Sequence, residues 1–273
     1  FEYYRKKHGD PDIIIAHSVI WAGYVAARIK IDTGIPFILV EHRSRFAKDV
    51  ESAQSMIREW YFPYIRTCLI NANSIVTVSP AIDNQLITIS PGIKNKLNHI
   101  PNLIDTDFFT LPEHPRKKEP FVIISFGILE DVKGFDVLIR SFAQFVKNNK
   151  GEFFLRIGGR GDKYRKLKTL AKKFGVADRV TLHGYVPREE VKKEMQMANL
   201  FVLPSRFEAF GVVLIEALAT GCPVISTYSG GPEYIVNENN GILVEPDNAD
   251  ALTGAIKELY HNYDQYDRRK IRE

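Results

Sequence analysis

Ten short runs rich in β-branched and aromatic residues, separated by longer amphipathic stretches, restrict this chain to an α/β fold built on parallel sheets. The runs fall at 12–18, 36–41, 74–79 and 97–101, and again at 121–127, 153–158, 179–184, 200–204, 223–227 and 241–245. They show little alternation of apolar and polar residues, as strands covered on both faces do. Between them apolar residues recur at three- and four-residue spacing. Over 134–147, for example, Phe135, Leu138, Ile139, Phe142 and Phe145 share one helical face. Strand–helix–strand order then calls for right-handed crossovers, and the expected class is α/β with two Rossmann-like, doubly wound domains. A cluster of prolines and charges at 112–120, LPEHPRKKEP, suits an exposed linker. The expected division is a partial N-terminal domain at 1–113, a linker at 114–120 and a second domain at 121–262. A closing helix at 263–273 is expected to return to the first domain. The chain opens in what reads as the end of a helix running into a strand, so the first domain is expected to start midway.

Composition narrows the function classes. Hydrophobic residues at 45% and charged residues at 26% are ordinary for a globular protein that needs no covalent staples. Cys68 and Cys222 stand far apart with no metal spacing, which reads as two free thiols of a reducing, cytoplasmic setting. No apolar run approaches the ~18 residues of a membrane span, and no signal-peptide pattern leads the chain. The formal net charge of +4 arises in the second half: residues 1–113 carry 12 basic and 12 acidic side chains, residues 114–273 carry 25 and 21. Eight basic residues lie within 156–173 against Asp162 alone. A solvated helix face explains that run; peripheral contact with an anionic membrane is the sharper reading. Nucleic acid is not expected, since few aromatic residues interleave the bases. The triplets Asp10-Pro11-Asp12 and Asp105-Thr106-Asp107 read as turn chemistry rather than metal ligands. Gly158-Gly159-Arg160-Gly161 is not a dinucleotide fingerprint, which argues against a nicotinamide enzyme.

The densest signal is 203–246, LPSRFEAFGVVLIEALATGCPVISTYSGGPEYIVNENNGILVEP. A buried strand ends in the polar loop Ser205–Arg206, and a helix follows from about Gly211. The unpaired amides of such a helix start form an anion site, and Gly211 lets a phosphate approach the backbone closely. Glu208 sits in the loop and Glu216 inside the helix. On a continuous helix eight residues would separate them by about 12 Å, too far to grip one small group. They suit the two ends of an elongated ligand with an anionic middle, which is the shape of a nucleoside diphosphate sugar. Glu216 lies among Leu214, Ile215, Ala217 and Leu218, where an acid without a purpose is costly.

This stretch resembles the Glu-x7-Glu signature of glycosyltransferase family 4, of the GT-B fold, in which two Rossmann-like domains face a cleft. The resemblance continues through Gly221-Cys222-Pro223-Val224, Gly230-Gly231, Glu233 and Asn240-Gly241, and upstream to Lys133-Gly134-Phe135-Asp136, Leu182–Gly184, Pro101-Asn102 and Ile104-Asp105. It implies that Glu208 contacts sugar hydroxyls and that Glu216 contacts the nucleotide ribose. It implies further that amides around Phe210, Gly211 and Val212 meet the diphosphate, with Gly127 beside them. Lys133 would neutralise charge on the leaving group. Backbone around Tyr185 and Val186 would receive the base. The family's Gly-Arg-Leu run reads Gly127-Ile128-Leu129 here, so Ile128 occupies the arginine position, and Arg206 or Arg160 are the candidates to replace that clamp. In the first half, His42 ends the strand PFILVE and resembles a strand-end histidine near donor sugar and acceptor. His17 ends the strand before it and reads as structural, and Arg43 and Arg45 are candidates for an anionic acceptor.

The resemblance implies transfer, with retained configuration, of a hexosyl group from a UDP- or GDP-sugar to a hydroxyl acceptor, extending to lipid-linked ones. The setting would be polysaccharide, lipopolysaccharide or glycolipid synthesis, with no metal and no further cofactor, at the inner face of the membrane. A nucleotide-sugar epimerase of the same architecture and a non-catalytic nucleotide-sugar-binding protein are the alternatives.

Overall fold

The structure, a computed structural model, describes residues 1–42, 58–114 and 117–273. The chain divides into two compact units, Phe1–Asn102 and Leu103–Glu273. All ten runs expected to be strands are strands.

The first unit runs α1 (Glu2–His8), β1 (Ile14–His17), α2 (Ala22–Thr33), β2 (Phe37–Glu41), α3 (Phe62–Asn71), β3 (Ser74–Thr77), α4 (Pro80–Ile89) and β4 (Leu97–His99). Its four strands pair in parallel in the order β1-β2-β3-β4. Fully buried Phe37, Leu39, Ile65, Leu69 and Ile75 form its interior. Helices α2 and α3 run side by side in the same direction. Tyr24 meets Tyr64 near their starts at 4.9 Å, and Lys30 Nζ donates to the Asn71 carbonyl near their ends at 2.8 Å.

The second unit holds β5 (Phe121–Phe126), α5 (Phe135–Asn148), β6 (Phe153–Gly158), α6 (Tyr164–Lys173), β7 (Val180–Gly184) and α7 (Arg188–Met197). It continues with β8 (Leu200–Leu203), α8 (Val212–Ala219), β9 (Val224–Thr227), β10 (Gly241–Val244), α9 (Ala249–His261) and α10 (Arg268–Arg272). The strands are all parallel, in the order β10-β9-β8-β5-β6-β7. Both faces are covered, which is why the strand sequences lack alternation. Phe121 and Ile123 of β5 enter one core with Leu138, Phe142 and Ile256, while Val122, Ile124 and Phe126 enter the other with Met195 and Leu214. The two windings of the sheet part between β5 and β8, and at such a switch point the loops after the strands diverge and leave a crevice.

The division at Asn102 lies upstream of the proline cluster at 114–120, because Phe109 is fully buried in the α8-side core of the second unit. The closing segment, expected to return to the first domain, belongs to the second unit. Ile271, the apolar residue of α10, is buried in that same core, and Arg272 donates to the carbonyls of Thr106, Phe109 and Ala219.

Candidate active site

The switch point is built by glycine. Gly134 has φ of 65°, and a Cβ there would lie 2.0 Å from the Pro204 carbonyl oxygen. Only glycine lets the loop after β5 touch the loop after β8 at this point. Gly159 does the same one strand over, where a Cβ would lie 1.7 Å from the Gly127 carbonyl oxygen. The loops after β5, β6 and β8 are thereby knit backbone to backbone, with Leu129 N donating to Arg160 O at 2.8 Å and Arg206 N to Val132 O at 2.8 Å.

Across this seam the two catalytic candidates of the second unit meet. Lys133, ending a 3₁₀ turn at Asp131–Lys133, places Nζ 2.6 Å from Glu208 Oε2, with side chains 21% and 13% exposed. Ser205 Oγ donates to the same oxygen at 3.3 Å. The Glu208 backbone is pinned by a parallel bridge to Gly230: its N–H donates to Ser229 O and its carbonyl accepts from Gly231 N–H. Gly230 N–H is in turn held by the Glu233 carboxylate at 2.9 Å. Glu208 therefore stands outside the helix, and the spacing of a continuous helix does not apply to the pair Glu208 and Glu216.

The chain then turns at Gly211, with φ of 98°, and α8 begins at Val212. The amides of Gly211 and Val212 have no acceptor among the described residues, which leaves the positive end of the helix without a protein partner; Val212 is exposed and Gly211 is buried. Phe210 precedes them, its backbone packed on Gly231, where a Cβ would lie 2.3 Å from the Phe210 Cα. One turn into α8, the half-buried Glu216 accepts no hydrogen bond among the described residues. Burial raises its pKa above the ordinary 4.5, opposed by the Arg188 charge. A carboxyl so placed is receptive to hydroxyl donors.

Gly127 begins the loop after β5; a Cβ there would find only Phe135 and Lys133 side-chain atoms, at 3.4 Å or more. Ile128 follows, 58% exposed. Neither arginine proposed to replace the missing clamp is idle. Arg206 is committed to protein: its guanidinium binds both Asp136 oxygens at 3.0 and 3.1 Å, Asp247 Oδ1 at 2.6 Å and the Asp131 carbonyl. Its cohesion with three acidic residues holds the Glu208 loop to the Lys133 turn, a role that sequence reading missed because the partners lie 41 to 75 residues away. Arg160 lies over the Tyr185 ring at 4.8 Å. Tyr185 itself is exposed, and Val186 packs into the α8-side core.

In the first unit, His17 and His42 end adjacent parallel strands, and their exposed rings stack with centroids 5.4 Å apart. Buried Glu41 accepts from Val19 N–H at 2.7 Å and His42 N–H at 3.1 Å, fixing the backbone at both strand ends. His17 is thus a ring partner of His42 rather than an interior residue. Arg43 and Arg45 lie outside the described residues. Asp105 Oδ1 accepts from the amides of Asp107 and Phe108, the turn chemistry expected of that triplet. Among the described residues no three His, Cys, Asp or Glu side chains gather as a metal site would require, and no helix is long and apolar enough to cross a membrane.

Two family models match the chain: Glycosyltransferase Family 4 over residues 3–108 and Glycosyl transferases group 1 over residues 108–273. A GDP-mannose-dependent alpha-(1-6)-phosphatidylinositol monomannoside mannosyltransferase of Mycolicibacterium smegmatis is 32% identical over 180 residues, covering 60% of this chain and 47% of its own length. An uncharacterized glycosyltransferase of Methanocaldococcus jannaschii is 34% identical over 143 residues, covering 52% of this chain and 36% of its own. The chain thus spans about half or less of the length of these two relatives. Among solved structures, Thermosynechococcus elongatus sucrose-phosphate synthase matches with a TM-score of 0.85 at 24% identity, over 99% of this chain and 71% of that one. Anabaena HepE, solved in complex with UDP, matches with 0.82 at 19% identity, over 99% and 73%. These likenesses carry the GT-B fold to both units. With the first family model over the N-terminal part and the second over more than half its length, the chain belongs to the group 1 glycosyl transferases.

Proposed function

We propose that the chain moves a hexosyl group from a UDP- or GDP-sugar to a hydroxyl acceptor, with retained configuration and without a metal. The observation that carries this is the Lys133–Glu208 ion pair at the switch point, in the loop that leads to the amides of Gly211 and Val212, which have no acceptor among the described residues. When the donor enters, its diphosphate lies on the amides of Phe210, Gly211 and Val212 and takes Lys133 from Glu208. The freed Glu208 carboxylate then accepts from sugar hydroxyls, and Glu216 from the ribose. Tyr185 and Val186 border the base. As the anomeric C–O bond breaks, positive charge grows on the sugar and negative charge on the departing phosphate. Lys133 and the amide dipoles are already oriented toward that charge, so they stabilise the transition state without reorganising.

The names of similar proteins support both halves: one uses GDP-mannose and a phosphatidylinositol monomannoside, another is solved with UDP. We extend the proposal to a polysaccharide or lipid-linked acceptor in cell-envelope synthesis, made at the inner face of the membrane. The exposed basic face of α6, with Arg165, Lys168 and Lys172, would meet the anionic leaflet. A nucleotide-sugar-binding protein without turnover is the second reading, favoured by the exposed Ile128 in place of arginine.

The test is a panel of nucleotide sugars screened for protection against thermal unfolding, followed by transfer assays. A UDP- or GDP-sugar should raise Tm. Lys133→Ala and Glu208→Ala should each lower transfer by about a hundredfold or more while the melting transition persists. Full transfer by either variant removes the assignment; protection without turnover in the parent chain selects the second reading.

A further inference from the structure

Both tryptophans of the chain, Trp21 and Trp60, lie in one exposed group of aromatic rings on the first unit. Trp60 stacks on Tyr61 at 3.7 Å, and Trp21 meets Tyr61 edge-on at 5.7 Å and Trp60 at 6.3 Å. Tyr64 closes the group, 6.0 Å from Trp21 and 4.9 Å from Tyr24. The rings sit at the starts of α2 and α3, which places them at the carboxyl ends of the parallel strands, the end where His17 and His42 also stand. Open α/β sheets bind ligands at that end.

Four observations separate this group from ordinary packing. Trp21 and Trp60 are 52% and 50% exposed, so the two indoles do not serve the core, while Tyr24, Tyr61 and Tyr64 are half-buried beneath them. No indole N–H or tyrosine hydroxyl of the five residues has a hydrogen-bond partner among the described residues. Trp21 has φ of 63° with ψ of −70°, and Ser18 has φ of 84°; L-residues rarely adopt positive φ, and such conformations are retained where function repays the strain. Trp21 also occupies the N-cap of α2, a position that favours Ser, Thr, Asp or Asn. The backbone is therefore held in an unfavourable state that displays an indole.

We propose that Trp21, Trp60 and Tyr61 form a platform that binds the saccharide portion of the acceptor, its C–H faces stacked on the rings and its hydroxyls bonded to the free ring edges. The proposal rests on the glycosyl-transfer reading above and names the acceptor class. Amphipathic rings whose polar edges have no partner among the described residues match a ligand that is apolar on its faces and polyhydroxylated at its rim. The charges next to Trp60 in the chain, Arg58 and Glu59, are of opposite sign, whereas recruitment to an anionic membrane needs a cluster of bases.

Because Trp21 and Trp60 are the chain's two tryptophans, intrinsic tryptophan emission reports on this surface alone. The full chain is titrated with a neutral linear gluco-hexasaccharide, a manno-hexasaccharide, and phosphatidylcholine vesicles with and without phosphatidylglycerol. A saturable emission change with one of the saccharides is expected. Trp60→Ala, read through Trp21, should weaken it about tenfold or more, and Trp60→Phe should restore most of it. Matching melting curves for the three proteins establish that the fold is kept. A response to vesicles alone assigns the surface to a membrane and overturns the proposal, as does saccharide binding unchanged in Trp60→Ala, or no response to any probe. Donor protection measured on the same samples tells failure of the platform from failure of the transfer reading, because the donor groups other than His42 belong to the second unit.

Discussion

Glu216 shows how burial burdens one side chain. Burial disfavours its charged form, so the folded chain holds the Glu216 proton more tightly than the unfolded chain does. Stability therefore falls as pH rises from the ordinary value of 4.5 to the raised folded value, and the penalty is complete above that window. Glu216→Gln should raise Tm at neutral pH and lose this advantage below 4.5, which paired melting curves would record. The same variant should weaken nucleotide-sugar protection by about tenfold, the loss of a charge-assisted hydrogen bond. A neutral-pH Tm below that of the parent chain would mean that Glu216 is held by protein and not kept for a ligand. At this scale the sequence was legible where an acid sat among apolar neighbours. It was not legible at Arg206, whose role as a tie among Asp136, Asp247 and the Lys133 turn depends on residues brought together by folding.

Among elements, the loops after β5 and β8 matter as a pair. Gly134 is the contact that allows both the Lys133 turn and the Glu208 loop to close on the switch point. Gly134→Ala combines a left-handed φ with a Cβ driven into the Pro204 carbonyl, and should cost more than about 2 kcal/mol in denaturant unfolding. It should also lower transfer, since the Lys133–Glu208 geometry moves with the seam. Stability equal to the parent would show that the two loops do not need this approach. Strands and helices were readable from periodicity because burial on both faces leaves an unbroken apolar run. Gly134 was visible only within a resemblance and Gly159 only in a run set aside as no dinucleotide fingerprint, since a single glycine does not say which backbone it must let pass.

For the molecule as a whole, each unit contains one buried cysteine. Burial, reinforced by Glu41, pushes the Cys68 thiol up to about 12, and Cys222 is fully buried in the α8-side core. Neither should react with a thiol reagent in the native state, because the thiolate is the reactive form and access is closed. In rising urea, each thiol reports the opening of its own unit. Cys68 should label at lower denaturant than Cys222, because the smaller unit buries a smaller share of its surface and leaves Ile15 on β1 60% exposed. Simultaneous labelling would instead show that the units unfold as one. Read by itself, the order of apolar runs determined the α/β class and the parallel strands, because those properties follow from local burial and periodicity. The tertiary structure decided which loops share the switch point, that Lys133 pairs with Glu208, and that Arg206 is spent on structure. It also decided that the closing helix stays with the second unit and that Trp21 and Trp60 share one surface. Contacts between residues distant along the chain follow from strand order and helix placement, which no local pattern specifies.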